Sequence, residues 1–251
     1  MAYTVLVTGA AGAIGTATVL ALRAEGHDPI GLDKQPAPAG SEAAGWIQHD
    51  LRDVSGTEEI LAQSPLLDGL RHVVAVAGGP TEEEVGRLDP GDVPVETFAA
   101  SVHLNLVAQY AILRAGAERL EAEAPGGDRS ITLFSSINAL RGYGMPGYSS
   151  AKAGLLGLVV SLALPLGRRG VRINAITPGT VITERFHHDY PDVEEQLGPR
   201  LVGASASRRE TRAEDVARAV VAILGLEQMT GQQLVVDGGQ LAVPFDHYPL
   251  R

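Results

Sequence analysis

Tyr3-Thr-Val-Leu-Val-Thr8-Gly-Ala-Ala-Gly-Ala-Ile-Gly15 is the stretch whose reading decides the fold. Its first six residues read as an extended strand, the glycine-bearing residues after them as a turn, and the Ala-rich run to about Gly26 as a helix. In a strand-turn-helix unit of this kind, Gly9, Gly12 and Gly15, with Ala13 and Ile14 between them, let the backbone come close to a pyrophosphate. The helix N-terminus then offers its amides and the positive end of its dipole. A tight turn with close helix packing uses the same glycines, so the turn by itself does not define a ligand. Asp33 adds the missing weight. It lies 18 residues after Gly15, at the end of the next expected strand, where a carboxylate accepts both adenosine ribose hydroxyls and repels a 2′-phosphate. The pattern favours NAD over NADP, with Lys34 as the opposing charge beside it.

Outward from this unit, extended and helical stretches keep alternating. Pro29 to Leu32, Trp46 to His49, Val73 to Ala77, Ser130 to Ser135, Val171 to Ile176 and Gln233 to Val236 read as strands. The run Val73-Val-Ala-Val-Ala77 is short and almost uninterrupted, as in a strand buried on both faces of a parallel sheet. Glu96 to about Glu123, Tyr148 to Gly167 and Ala213 to Leu224 read as helices, and Gly78 to about Pro94 as a polar loop carrying three glutamates. The expectation is an α/β chain with a doubly wound parallel sheet, helices on both faces, and a single domain over 1–251. Residues 184–212, with two histidines, two prolines and scattered charge, are expected to be the most mobile segment, a small lid over a pocket.

Composition narrows the partners. A net charge of -10 and a sequence pI near 5.1 argue against nucleic acid or an anionic membrane and for a small-molecule substrate. The absence of cysteine excludes disulfides, thiol catalysis and cysteine-ligated metal, and fits a cytoplasmic protein. The apolar run from Val5 to Leu22 is broken by glycines and lacks a basic flank, so it is expected as strand and helix rather than as an export or membrane segment.

Two smaller features belong to the same cofactor edge. Asp50-Leu51, after the third strand, either holds an adenine edge or begins a turn or caps a short helix. Ala77-Gly78 ends the fourth strand without a side chain that would block a cofactor. The sharper chemical signal is Tyr148-Ser-Ser-Ala-Lys152. A spacing of four on a helix stacks the two side chains on one face, one turn apart. An ammonium near a phenol lowers the phenol's pKa from about 10, which equips Tyr148 to exchange a proton with a substrate oxygen near neutral pH.

Taken in order, Thr8-Gly9, Gly12, Gly15, Asp33, Asn105, Ser135-Ser136, Tyr148, Lys152 and Pro178-Gly179 resemble the short-chain dehydrogenase/reductase family, and the resemblance spans Val5 to Gly239. It implies a Rossmann-type fold and an oxidoreductase that moves a hydride between nicotinamide and a carbonyl or secondary alcohol. By that resemblance Tyr148 is the general acid/base, Lys152 orients the ribose and lowers the tyrosine pKa, Ser136 steadies the substrate oxygen, and Asn105 holds a water in a proton relay. The family's second serine is the catalytic one, which selects Ser136. Its usual spacing to tyrosine, 13 residues, fits Ser135 instead, and a loop one residue shorter reconciles the two. The segment Asn174 to Thr183 matches the part that closes on nicotinamide, implying that the Val181 backbone meets the carboxamide and the Thr183 hydroxyl bonds the cofactor, after the Pro178-Gly179 turn. Thr230 to Gly239 resembles the family's final strand, often part of a subunit interface, and implies a homo-oligomer, a tetramer or a dimer.

Two departures accompany the match. Ala13 stands where short members usually carry the middle glycine, and Ala75-Val76 replaces the usual Asn-Asn before Ala77-Gly78. The glycine spacing leans toward sugar-nucleotide epimerases and dehydratases, but only about a dozen residues follow the last strand, too few for their separate substrate region. A cofactor-binding regulator without turnover is the other alternative, and it usually lacks the Tyr or the Lys. The substrate pocket is expected from Ile137 to Gly147, the loop after Gly78, and Phe186 to Tyr190, with Arg141, Tyr143, Met145, His187 and His188 as lining candidates. No metal is expected, because two adjacent histidines lack a third ligand at a suitable spacing.

Overall fold

Val5 and Val7 pack on one side of the first strand and Leu6 on the other, all fully buried, so β1 (Thr4–Thr8) lies between two apolar layers from the outset. In the computed structural model of the chain, residues 2–85, 89–123, 127–141, 144–189 and 198–243 are described. Around β1 the strands β2 (Asp28–Asp33), β3 (Gly45–Gln48), β4 (Leu70–Ala75), β5 (Ser130–Phe134), β6 (Arg172–Pro178) and β7 (Gln233–Val236) form one sheet in the order β3-β2-β1-β4-β5-β6-β7. All its pairings are parallel, which is the doubly wound arrangement expected from the alternation.

The helices divide between the faces as the alternating side chains of the strands require. One layer packs α2 (Val54–Gln63), α4 (Ala108–Glu123) and α5 (Pro146–Arg168), through Leu61, Ile112, Leu120 and Leu155, onto Leu6, Val73, Leu133 and Ile173. The other packs α1 (Ala13–Ala24) and α8 (Ala213–Leu224), through Val19, Leu22, Val216 and Val220, onto Val5, Val7, Val74 and Ile176. Parallel strands leave all their C-terminal ends at one rim. The reversal of strand order between β1 and β4 opens a crevice there.

Several boundaries differ from the sequence expectation. The helix expected over Glu96 to Glu123 is α3 (Val95–Val102), a π turn at His103–Val107, and α4. Helix α2 follows the Asp50-Leu51 turn, and its cap is Asp53, whose side chain accepts from the Gly56 amide, rather than Asp50. β4 begins at Leu70 and ends at Ala75, earlier than expected, which leaves Val76 to Gly79 free to form the rim of the crevice. Within the expected lid, α6 (Glu184–Asp189) and α7 (Gly198–Gly203) are helical, and the intervening residues lie outside the described ones. The end of that range is anchored: Ser205 and Thr211 are buried, and the Ser205 hydroxyl donates to the Gly238 carbonyl at 2.8 Å.

Candidate active site

At the crevice, Gly9 takes φ 66° and accepts from the Gly12 amide at 3.1 Å, and α1 starts at Ala13. A Cβ on Gly15 would fall 2.0 Å from the Gly9 carbonyl oxygen, so only glycine lets α1 sit this low on the turn. Gly12, by contrast, has room, and the Ala13 departure costs the turn nothing visible: Ala13 simply opens the helix. Asp33 braces the same turn, with Oδ2 accepting from the Ala11 amide at 3.1 Å and Oδ1 from Gln35 at 3.0 Å. The cradle, free of side chains and lined by amides, fits a dinucleotide pyrophosphate.

An open cleft beyond Asp33 is lined by Lys34, Gln35, Gln48, His49 and Asp50. Of the roles expected for Asp50, the turn is visible. Its Oδ1 accepts from the Arg52 amide at 3.0 Å, and the Arg52 guanidinium bonded to it holds its carboxyl down at about 2. The Leu51 side chain is buried in the core.

Past β4, two side chains hold the backbone of Ala77. The Ala77 amide donates to Thr8 Oγ1 at 3.2 Å, and Gln109 Nε2 donates to the Ala77 carbonyl at 3.0 Å. Asn105, wholly buried in the π turn, clamps the next residue but one. Its Oδ1 accepts from the Gly79 amide and its Nδ2 donates to the Gly79 carbonyl, both at 2.9 Å. A π turn widens the helix by one residue and turns a side chain out of its usual register, as π bulges near functional sites do. A Cβ on Gly78 would lie 2.7 Å from Asn105 Oδ1 and 3.1 Å from Lys152 Nζ, so these two groups face one small space across Gly78.

The first turns of α5 deliver Tyr148 and Lys152 to that space. Lys152 is buried, its Nζ donating to the Phe134 carbonyl at 2.7 Å and lying 5.6 Å from the Tyr148 ring centroid. Burial draws its pKa down to about 8. Burial also pushes the Tyr148 phenol above its ordinary value, and its hydrogen bond with Ser136 works against that push. Burial of the phenol thus acts on Tyr148 in the direction opposite to the lowering expected from a nearby ammonium, and the Lys152 Nζ is aimed at the Phe134 carbonyl. The neighbouring serines separate as strand alternation demands. Ser135 is turned away, donating to the Lys152 carbonyl at 2.9 Å, while Ser136 faces Tyr148 and accepts from the Asn138 amide at 3.2 Å.

In the segment expected to close on nicotinamide, Pro178 closes β6, the Gly179 amide donates to the Val236 carbonyl at 2.8 Å, and Val181 bridges to Thr211. Thr183 Oγ1 accepts from the Phe186 amide at 3.2 Å and so caps α6. Of the expected pocket residues, Met145 is the left-handed cap of α5 at φ 52°, and His187 and His188 lie in the last turn of α6. Tyr143 and Tyr190 lie outside the described residues. Arg141 differs from the expectation: its guanidinium donates to the carbonyls of Gln240, Leu241 and Val243 at 2.7 to 3.0 Å, fastening the C-terminal segment rather than projecting into a pocket. Gln240 in turn accepts from the Thr180 amide at 2.8 Å. Among the described residues no three His, Asp or Glu side chains converge as metal ligands do.

Gln109 and Glu84 also hold backbone groups at this site, and the sequence singles out neither: Gln109 carries no motif, and no local signal separates Glu84 from its neighbours in the run Glu82-Glu83-Glu84.

The geometry has counterparts. Residues 9–240 match the family model described as Enoyl-(Acyl carrier protein) reductase. The chain is 31% identical over 253 residues to L-rhamnose 1-dehydrogenase (NAD(P)(+)) of Azotobacter vinelandii, covering 94% of this chain and 95% of that protein. A solved oxidoreductase of the short-chain dehydrogenase/reductase family from Burkholderia thailandensis superposes with a TM-score of 0.82 at 31% identity, over 96% of this chain and 94% of that one. A protein from Agrobacterium tumefaciens solved with bound NADP gives 0.83 at 25% identity over 96% of each chain. Matched by the family model over residues 9–240 and by relatives over nearly its whole length, this chain belongs to the short-chain dehydrogenase/reductase family.

Proposed function

We propose that the protein is a nicotinamide-dependent dehydrogenase of small polyhydroxylated substrates, oxidising a secondary or anomeric C–OH of a sugar and reducing the corresponding carbonyl in reverse. The observation that carries the reading is the meeting of Ser136, Tyr148, Lys152 and Asn105 at one rim of the crevice. The sugar class is suggested by the L-rhamnose 1-dehydrogenase relative. A net charge of -10 speaks against the acidic acyl carriers named in the family model's description.

Nicotinamide, when bound, supplies the hydride acceptor. The chain's residues handle the proton and the charge. Tyr148, as the phenolate left when its own proton passes outward, takes the proton from the substrate hydroxyl as its carbon is oxidised, and returns it in the reverse direction. Ser136 donates to the substrate oxygen as negative charge develops there, in a setting where burial strengthens each bond. Lys152 holds the ribose. Together with Asn105 it faces the space across Gly78, where a water would relay the proton outward. Gly9, Gly12, Ala13, Ile14 and Gly15 take the pyrophosphate, Asp50 and Leu51 the adenine edge, and Ala77, Gly78, Pro178, Gly179, Val181 and Thr183 the nicotinamide half.

NAD is the proposed cofactor in preference to NADP. Each Asp33 oxygen accepts one amide and keeps a lone pair for a ribose hydroxyl, and its charge opposes a 2′-phosphate. A homo-oligomer is proposed from the apolar outer face of α5, where Val160 and Leu164 are 72% and 64% exposed. This helix is long and apolar enough by composition to cross a membrane, yet its other face packs on β6 and α3. A cytoplasmic setting completes the proposal.

The test is an absorbance assay of reduced nicotinamide with a panel of aldoses, secondary alcohols and acyl thioesters, each with NAD and NADP. The expected result is turnover of an aldose with NAD. Tyr148→Phe should lower kcat by about a hundredfold or more while leaving NADH binding intact. Turnover of acyl thioesters alone, or a Tyr148→Phe variant of near-normal rate, would overturn the reading.

A further inference from the structure

Glu84 carries no role in the chemistry just described, yet it is wholly buried and its carboxylate sits against the start of the catalytic helix. The N-terminal turn of a helix leaves amides without intrahelical acceptors. Along α5 these can be accounted for one by one. Pro146 has no N–H, and the Ser149 amide already donates to the Met145 carbonyl at 2.8 Å. The amides of Gly147 and Tyr148 remain. Both donate to Glu84 Oε1, at 2.7 and 3.3 Å. The approach is so close that a Cβ on Gly147 would lie 2.8 Å from that oxygen, 2.9 Å from Ser101 Cβ and 3.0 Å from the Phe98 carbonyl.

Glu84 also closes a circuit. Its own amide donates to the Thr81 carbonyl at 3.1 Å, and two residues before Thr81 the Gly79 backbone is gripped by Asn105. One short loop therefore ties the Asn105 clamp at one end to the Tyr148 amide at the other. Among the described residues, Glu84 Oε2 and Ser101 Oγ are buried without a hydrogen-bond partner. Leaving a buried carboxylate oxygen unpaired costs free energy that solvent would otherwise supply. A side chain needed merely to fill this space would be better apolar.

We infer that Glu84 is a positioning residue for the acid/base step: it fixes the first turn of α5 against the loop held by Asn105, and so sets where the Tyr148 hydroxyl stands relative to Ser136 and the substrate. The inference rests on the proposed role of Tyr148. Displacement of a reacting group by about an ångström can cost on the order of a hundredfold in rate, and a turn freed from its cap moves on that scale.

The test compares Glu84→Ala, Glu84→Gln, Glu84→Asp and Tyr148→Phe in the full-length protein, with NAD and the aldose on which the unaltered protein is active. Glu84→Ala is expected to lower kcat by about tenfold or more, raise the solvent deuterium effect on kcat, and leave NADH affinity within about twofold. Glu84→Gln, whose amide carbonyl accepts from the same two N–H groups, should recover most of the lost kcat. Hydrogen exchange of the free protein should speed up at the Gly147 and Tyr148 amides in Glu84→Ala and return toward normal in Glu84→Gln. Unchanged kcat and solvent effect in Glu84→Ala, or equal losses in the Ala and Gln variants, would overturn the inference. Should Glu84→Ala not fold, Glu84→Asp keeps the charge but withdraws the acceptor; a normal kcat there overturns it equally. An active Tyr148→Phe removes the functional reading instead, and the exchange data still decide whether Glu84 holds this turn.

Discussion

Tyr148 and Lys152 show how a residue's chemistry depends on what surrounds it. Burial disfavours the Lys152 ammonium, whose pKa falls from 10.5 to about 8. Below pH 8 the folded protein bears that cost in full. Between pH 8 and 10.5 the unfolded chain still holds the proton while the folded one has released it, so stability rises with pH across that window. The charge penalty is up to about 3 kcal/mol, offset in part by the bond to Phe134. Lys152→Met is therefore expected to raise the melting temperature at pH 7, to lose that advantage by pH 10, and to lower activity; melting curves across pH and a rate assay would show all three. At Asp33 the expected outcome concerns choice of cofactor. Asp33→Ala removes one negative charge from the ribose site and should shift the NADP to NAD ratio of kcat/KM toward NADP by about tenfold, the effect of roughly 1.4 kcal/mol. The identities of Tyr148, Lys152 and Asp33 were legible because each follows a spacing rule. The burial that pushes the Tyr148 phenol upward was not, because desolvation is a property of the packed site.

At the scale of elements, the glycine turn and the C-terminal strap obey different logics. Gly15→Ala drives a Cβ to 2.0 Å from the Gly9 carbonyl, and α1 must lift to make room. A loss of about 3 kcal/mol or more is expected, with NADH binding abolished in whatever folds; fluorescence titration of NADH and chemical denaturation test both parts. This element was readable in sequence, since strand, turn and helix are contiguous. Arg141 was not. It stands between Ser136 and Tyr148 and looked free to meet a substrate, but three carbonyls of residues 240–243 capture it. Those carbonyls come from a segment about a hundred positions later. The π turn at Asn105 likewise meets a distant backbone: both polar groups of the Asn105 side chain bond Gly79, which lies on another element.

In the whole molecule, chemistry and stability occupy opposite rims of the sheet. At the N-terminal ends of the strands Arg172 forms a partly buried ion pair with Asp128 at 2.7 Å, and His72 bonds to Ser130 Oγ at 2.9 Å. Burial lowers the His72 pKa to about 4 from 6.5. From pH 6.5 down to about 4 the unfolded chain binds a proton that the folded chain refuses, so stability falls as the solution is acidified, by up to about 3 kcal/mol. His72→Asn should flatten that part of the stability profile, measured as denaturation midpoints between pH 4 and 7. On the outer face of α5, Val160→Glu with Leu164→Glu should reduce the molar mass seen by light scattering if the proposed oligomer forms there. The sequence by itself determined the layer order, the parallel sheet, the glycine turn and the Tyr148 to Lys152 pairing. Each of these is carried by neighbours along the chain or by a period of side chains, and local sterics and hydrophobic burial suffice to specify them. Only the tertiary structure decided that Arg141 is a strap and that Glu84, one of three adjacent glutamates, is buried against the helix that carries Tyr148. Those assignments depend on which distant backbone groups need a partner once the sheet has closed, and a buried amide or carbonyl left unpaired is costly wherever its partner lies in sequence.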